Sequence, residues 1–242
     1  MNKPKGTTLG HLRLELQKLR NPAKAEILSR FFKTGRGEYG EGDVFLGIPV
    51  PLQRRIAKKY PALRLEDLQE LLSSRIHEER LVALLILISK YKNADNTDRR
   101  AAVDFYLKNT RRVNNWDLVD ISAGNILGDY LLDKERTLLS RLAESDSLWE
   151  RRIAIMATFA FIRRNEFKDT IHIAGLLLKD THDLIHKAVG WMLREVGKRC
   201  SLKGECEFLD AHAAAMPRTM LRYAIERFPE KLRLHYLRGK KT

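Results

Sequence analysis

Two cysteines in 242 residues, Cys200 and Cys206, are too few for a disulfide framework. The fold must therefore rest on packed apolar surface, and a reducing, cytoplasmic compartment is the expectation. No apolar run approaches the ~20 residues that a membrane span requires. The longest, from Leu81 to Ser89, reads as a core helix. The first residues, Met1 to Gly6, lack the apolar segment of a secretory signal. Low-complexity tracts are absent, which argues against a disordered class, and 44% hydrophobic residues suffice to bury a core. Acidic residues are in deficit, 31 against 45 Lys and Arg, leaving a net charge of +14. That excess concerns partners rather than fold. It favours nucleic acid or another anionic surface, with a solubilising surface charge as the plainer alternative.

Helical periodicity fills most of the chain. Apolar residues recur at three- and four-residue spacing over 9–19, 22–32, 51–59, 79–90, 99–108, 116–132 and 134–142. The period continues over 148–164, 169–178, 183–198, 204–214, 217–228 and 229–237. Short polar connectors separate these runs, as antiparallel helix pairs require. Ser147 and Glu150 have capping-box spacing, Thr181 and Asn115 suit N-caps, and Pro217 suits a first helical turn. Trp116, Trp149 and Trp191 lie 33 and 42 residues apart, within the range of helix-pair repeats that stack into solenoids. The expected fold is all-α, a HEAT-like solenoid of helical pairs with a concave basic face, in one domain over residues 1–242. A single-layer bundle is the weaker alternative.

Residues 35–49 interrupt the pattern. Gly35, Gly37 and Gly40 spell GxGxxG, but a helical run precedes them and the strand-like Phe45-Leu-Gly-Ile48 follows where a helix should open. No Gly-Lys-Ser/Thr accompanies them. The segment reads as a flexible connector with, at most, a backbone contact to phosphate. His182 and His186 stand at i, i+4, yet HExxH is absent and no third ligand has a recognisable spacing. The expectation is no metal and no cofactor.

Two helical faces carry more chemistry. On one, Asp120 follows Trp116 by one turn, with Ala123 and Gly124 next on the same face in place of a long cationic partner. Asp117 points away from Asp120 and suits the helix dipole in the first turn. On the other, Lys187, Trp191, Arg194 and Lys198 place an indole within a basic stripe, beside the apolar stripe Ile185, Ala188, Met192 and Val196. Arg151 and Arg152 open an adjoining helix, where a guanidinium can fork onto a phosphate or pair with an acid. The blander readings are a solvated Asp120 and tryptophans buried as core.

In order along the chain, four segments resemble the HEAT-like alkylpurine DNA glycosylases of the AlkD type. They are Phe45-Leu-Gly-Ile-Pro49, Asn114-Asn-Trp-Asp-Leu-Val-Asp120, Leu148-Trp-Glu-Arg-Arg-Ile153 and Lys187-Ala-Val-Gly-Trp-Met-Leu-Arg-Glu195. The resemblance runs from about Ala23 to Phe228. It implies a catalytic set of Trp116, Asp120, Arg152 and Trp191, with Arg152 chosen over Arg151 by its position three residues after Trp149. Arg151, Lys187, Arg194 and Lys198 are expected DNA contacts, as is Phe31, which stands where relatives can carry tyrosine. Trp149 matches a family position outside the catalytic set. Residues 35–42 look longer than in the relatives.

The resemblance implies a monomeric, monofunctional N-glycosylase acting on double-stranded DNA that contains alkylated purines, without deep flipping of the lesion. A purine alkylated at N3 or N7 is cationic and already an activated leaving group, so general acid catalysis is dispensable. One carboxylate can stabilise the oxocarbenium-like sugar and orient water. Indole faces favour a cationic partner by ~0.5–2 kcal/mol. The rival readings are a catalytically silent DNA-binding protein on the same scaffold, and a HEAT-type scaffold for protein partners.

Overall fold

A computed structural model describes residues 8–238, and among them the chain is all-α. Its contacts gather into two compact units, Met1–Ser122 and Ala123–Thr242. No helix among the described residues is long and apolar enough to cross a membrane.

The first unit comprises α1 (Leu9–Lys18), α2 (Pro22–Phe31), α3 (Val50–Lys59), α4 (Leu65–Leu72), α5 (His77–Asn93), α6 (Asn96–Lys108) and α7 (Trp116–Ser122). Helix α5 is its centre and packs against α3, α4, α6 and α7. Leu81 to Ile88 is buried throughout, as expected of a core helix. Burial extends to the polar first turn as well, because His77, Glu78, Glu79 and Arg80 are each at most 3% exposed. Such groups survive only with partners. Helix α4, absent from the runs expected above, has the helical spacing Leu65, Leu68, Leu71, Leu72. Leu68, Leu71 and Leu72 are core, and Asp67 caps the start by accepting from the Arg64 N–H at 2.8 Å.

The strand-like run 45–48 is not a strand. Among the described residues, extended pairing amounts to an isolated parallel bridge between Val44 and Ile76. The backbone instead wraps an anion: the amides of Leu46, Gly47 and Ile48 donate to the Glu78 carboxylate at 2.9, 2.8 and 3.2 Å. Gly47 makes this turn at φ +83°, and a Cβ there would lie 2.2 Å from the Asn21 carbonyl oxygen. Only glycine meets both conditions. The preceding glycine segment closes on itself. The amides of Gly35 and Gly37 donate to Glu38 and Glu41 at 2.8 Å each, and that of Gly40 to the Lys33 carbonyl at 3.0 Å. The amides of the three GxGxxG glycines are therefore already engaged within the segment.

The second unit holds α8 (Thr137–Ala143), α9 (Leu148–Ala157), α10 (Phe159–Ile162), α11 (Lys168–Leu176), α12 (Asp183–Arg199), α13 (Leu202–His212), α14 (Arg218–Ala224) and α15 (Glu230–Arg238). Helix α12 is central, packing against α9, α11, α13 and α14. The long helix expected over 116–132 stops at Ser122, and Gly124–Gly128 forms a π turn closed by the Gly128 N–H to the Ala123 carbonyl at 2.9 Å. Close packing explains the glycines. A Cβ on Gly128 would sit 2.1 Å from the Ala157 carbonyl oxygen, and one on Gly124 would lie 3.4 Å from that of Met156. The run 148–164 also divides, at the buried Thr158, whose hydroxyl turns back onto the Ile155 carbonyl at 2.7 Å.

Capping is partly as expected. Ser147 accepts from the Glu150 N–H at 3.5 Å, but the Glu150 carboxylate takes the Ser145 hydroxyl instead of reaching back. His182, one residue past Thr181, caps α12 by accepting from the Leu184 N–H at 3.1 Å. His186 is bonded to the Asp180 carbonyl, so each histidine of the pair has a structural partner.

Candidate active site and nucleic-acid surface

Asn115 starts α7: its side-chain oxygen accepts from the Trp116 N–H at 2.8 Å and its carbonyl from the Val119 N–H at 3.1 Å. This places Trp116 in the first turn and Asp120 one turn later, both partly exposed. Phe32 stacks on the indole of Trp116 at 5.1 Å with planes 9° apart. Phe31 meets the same indole edge-on at 5.9 Å while remaining 62% exposed, so its ring is available to a partner. Behind Phe32 the stack continues through Phe45, at 5.0 Å, to His77, a further 4.6 Å on. Offset and edge contacts of this kind contribute ~0.5–1.5 kcal/mol per pair. The tryptophan is thus held from behind by a ladder of rings.

His77 anchors the far end. Its Nε2 faces the Asp117 carboxylate at 2.8 Å and its Nδ1 faces Asp43 at 3.1 Å, while Arg80 pairs with Asp43 at 2.5 Å. Asp117 also accepts from the Leu118 N–H, so it has the first-turn position expected of it and a long-range tether besides. Burial disfavours a charged His77, and the nearby Arg80 opposes it too. The charge and hydrogen bond of Asp117, with the bond to Asp43, outweigh both and raise the pKa. Burial likewise works against an ionised Asp43, and its bonds to His77 and Arg80 bring its pKa below the usual range. A histidine with a raised pKa contributes stability that is complete below its unfolded value of about 6.5 and is lost as pH rises through the folded value. The denaturation midpoint is therefore expected to fall as pH rises above about 6.5. In Asp117→Asn that fall should be clearly smaller; equal slopes in urea titrations would exclude His77 as the cause.

Asp120 lies near a second buried polar group. Tyr106 and Ser122 share a hydrogen bond at 3.0 Å beneath α7. Burial pushes the Tyr106 pKa up, the Ser122 bond opposes this, and the charge of Asp120 adds to the rise.

In the second unit, Trp191 borders the buried stripe Ile185, Ala188, Met192, Val196 and stays partly exposed, the position its helical spacing implies. Glu195 holds it from one turn on. Burial works against ionisation of Glu195; hydrogen bonding and charge from Arg199, the charge of Lys198 and the Trp191 indole N–H overcome this and lower its pKa. The basic stripe is partly neutralised within the fold. Lys187 pairs with Asp183 at 2.6 Å and Arg194 with Glu226, whereas Lys198 is exposed.

The two arginines of α9 are more committed than the sequence suggested. Arg151 joins Asp180 at 2.6 Å and donates to the carbonyls of Ser145 and Asp146. Arg152 is 4% exposed and donates to the Leu184 carbonyl. Trp149 is half-buried. Phe32, Phe45, His77 and Asp43 around Trp116, and Phe159 and Glu195 around Trp191, went unnoticed in the sequence. Phe32 touches Trp116 directly, Phe45 and His77 stand behind Phe32, and Asp43 holds His77, whereas Phe159 lies beside Trp191; all of these come together only through folding, apart from Glu195, whose i+4 spacing from Trp191 was the available signal.

An all-α chain of paired helices, with partly exposed indoles beside acidic and basic groups, matches the family of DNA alkylation repair enzymes over residues 12–228. The chain belongs to that family. Its fold is similar to that of a predicted DNA alkylation repair enzyme from Enterococcus faecalis, with a TM-score of 0.69 at 18% identity, over 87% of this chain and 97% of that one. No curated protein matches the sequence.

Proposed function

We propose that this protein is a monofunctional, monomeric DNA N-glycosylase that excises N3- and N7-alkylated purines from duplex DNA. The observation that carries this reading is the Trp116–Asp120 pair. An indole braced from behind by Phe32 and still partly exposed stands one helical turn from a partly exposed carboxylate. The indole suits a cationic base or sugar. The carboxylate suits the cation that develops as the C1′–N bond breaks, and water then completes hydrolysis. On the second unit, Trp191, Lys198 and the exposed cations nearby are suited to the same polyanion. Incubating methylated duplex DNA with the protein should release 3-methyladenine and 7-methylguanine; duplex binding without release of either would defeat the proposal.

The tryptophans offer a finer test. Trp116→Phe and Trp191→Phe are expected to retain clearly more excision than the corresponding Ala variants, because a ring face survives. Undamaged-duplex affinity, which is driven by phosphates, should move less than excision of 7-methylguanine. If an Ala variant instead loses ~3–5 kcal/mol of stability and its folded fraction excises normally, that tryptophan serves the core.

The burial of Arg152 is the one observation favouring a catalytically silent DNA-binding protein, because its guanidinium is spent on a main-chain carbonyl. On the glycosylase reading, Arg152→Ala weakens duplex binding more than Arg151→Ala and flattens the salt dependence of log K by about one phosphate contact. Losses confined to thermal stability would return Arg152 to the fold.

A further inference from the structure

Three residues of the second unit converge around Phe159, at the start of α10. Its ring lies 4.4 Å from the Arg163 guanidinium, 5.5 Å from that of Arg199 and 6.4 Å from the Trp191 indole. Arg163 and Arg199 are exposed, and Lys198 beside Arg199 is exposed as well. Among the described residues, the carboxylate paired within this cluster is Glu195, which is bound to Arg199 and accepts from the Trp191 indole N–H. One ring therefore holds two like charges together, next to a third, with a single nearly buried anion among them.

Glu195 offsets one of these three positive charges, so the cluster keeps a net positive charge that favours an incoming anion. Contact with the ring restricts both side chains in advance, so less side-chain entropy is lost when a ligand docks. Planar forks suit the oxygens of a phosphate diester. Glu195 ties Arg199 and Trp191 to one anchor, so this cationic group is built onto the same support as the tryptophan. Neither the hydrophobic period nor the basic stripe of α12 selects Arg163, Phe159 or Arg199, because α10 reaches α12 only through folding.

We propose that Arg163 and Arg199, stacked on Phe159, form a phosphodiester-binding platform that grips one strand of duplex DNA beside Trp191. The platform rests on the reading of DNA as the partner and does not require excision.

The test uses the full chain, a fluorescein-labelled undamaged duplex and anisotropy over a range of salt. Arg163→Gln and Arg199→Gln should each weaken binding about fivefold at moderate salt and reduce the slope of log K against log salt by about 0.9, one phosphate contact. Lys203→Gln, which removes an exposed cation of α13, should leave the slope unchanged. Arg163→Lys keeps the charge without the planar fork and should recover only part of the affinity; full recovery would show that charge alone matters and overturn the platform. Phe159→Leu keeps both charges and should weaken binding without the loss of slope. Equal slopes in wild type and both Gln variants, or an equal drop in Lys203→Gln, would also overturn it. Arg163→Gln breaks no ion pair seen in this cluster, so it remains informative even if Arg199→Gln perturbs Glu195 and melts early. Binding with the expected slopes but no excision would remove the glycosylase reading and leave the platform standing. Absence of any duplex binding by the wild-type chain would remove both.

Discussion

Asp120→Asn is expected to lower single-turnover excision of 7-methylguanine by on the order of a hundredfold or more, with folding and duplex affinity nearly unchanged. The substitution keeps shape and removes charge. If the leaving base is already cationic, the protein's main electrostatic task is to stabilise the sugar as it becomes electron-poor. A carboxylate at that point acts more strongly on the transition state than on the ground state, so its loss appears in the rate and not in affinity. Asn retains a carbonyl dipole, so some residual rate is expected. Asp120 sits near the buried Tyr106 phenol, so melting should be recorded beside each rate to separate chemistry from the support beneath α7. Normal excision by a folded Asp120→Asn protein would remove this carboxylate from the mechanism.

Glu78→Ala is expected to cost on the order of 3–5 kcal/mol of stability, enough to leave many domains of this size substantially unfolded. The carboxylate is 1% exposed and receives three consecutive main-chain amides, from Leu46, Gly47 and Ile48. Removing it leaves those donors buried without an acceptor, at ~1–3 kcal/mol for each that water cannot reach. Glu78→Gln keeps one oxygen but turns an NH2 towards a donor, so its loss should be smaller yet still clear, about 2 kcal/mol. Because Phe45 precedes this turn and belongs to the ladder behind Trp116, the Gln variant should also disturb excision in its folded fraction. Urea midpoints measure the first effect. A Glu78→Ala midpoint close to wild type would show that the three amides find other partners.

These two expectations differ in how far the sequence alone led to them. Asp120 and Trp116 were visible because i, i+4 spacing on a helix is a local property: 3.6 residues per turn puts both side chains on one face whatever the fold does. The same holds for the partial exposure of Trp191 beside a buried stripe. Helix placement followed the hydrophobic period and failed where local chemistry competes with it. The π turn at Gly124–Gly128 and the break at Thr158 depend on how closely a second helix approaches and on a hydroxyl turning back to the main chain. Helix α4 is the contrary case, since its leucine spacing is legible in the sequence.

Charge was the least legible property. The sequence assigns Arg194, Arg151 and Arg152 their sign but not their partners. Folding gives them Glu226, Asp180 and the Leu184 carbonyl, whereas Lys187 pairs within its own helix with Asp183, four residues before it. Conversely, Glu78 reads as an ordinary first-turn acid and is the anion around which residues 46–48 are wound. By itself the sequence determined the helical class, the family resemblance and the two local faces bearing Trp116 with Asp120 and Trp191 with its cations. Tertiary structure alone decided which charges are spent inside the molecule, and which rings stand behind each indole. Periodicity is written in residue spacing, but a hydrogen bond or ion pair between residues 30 to 40 positions apart exists only once both helices are packed, when burial makes its absence costly.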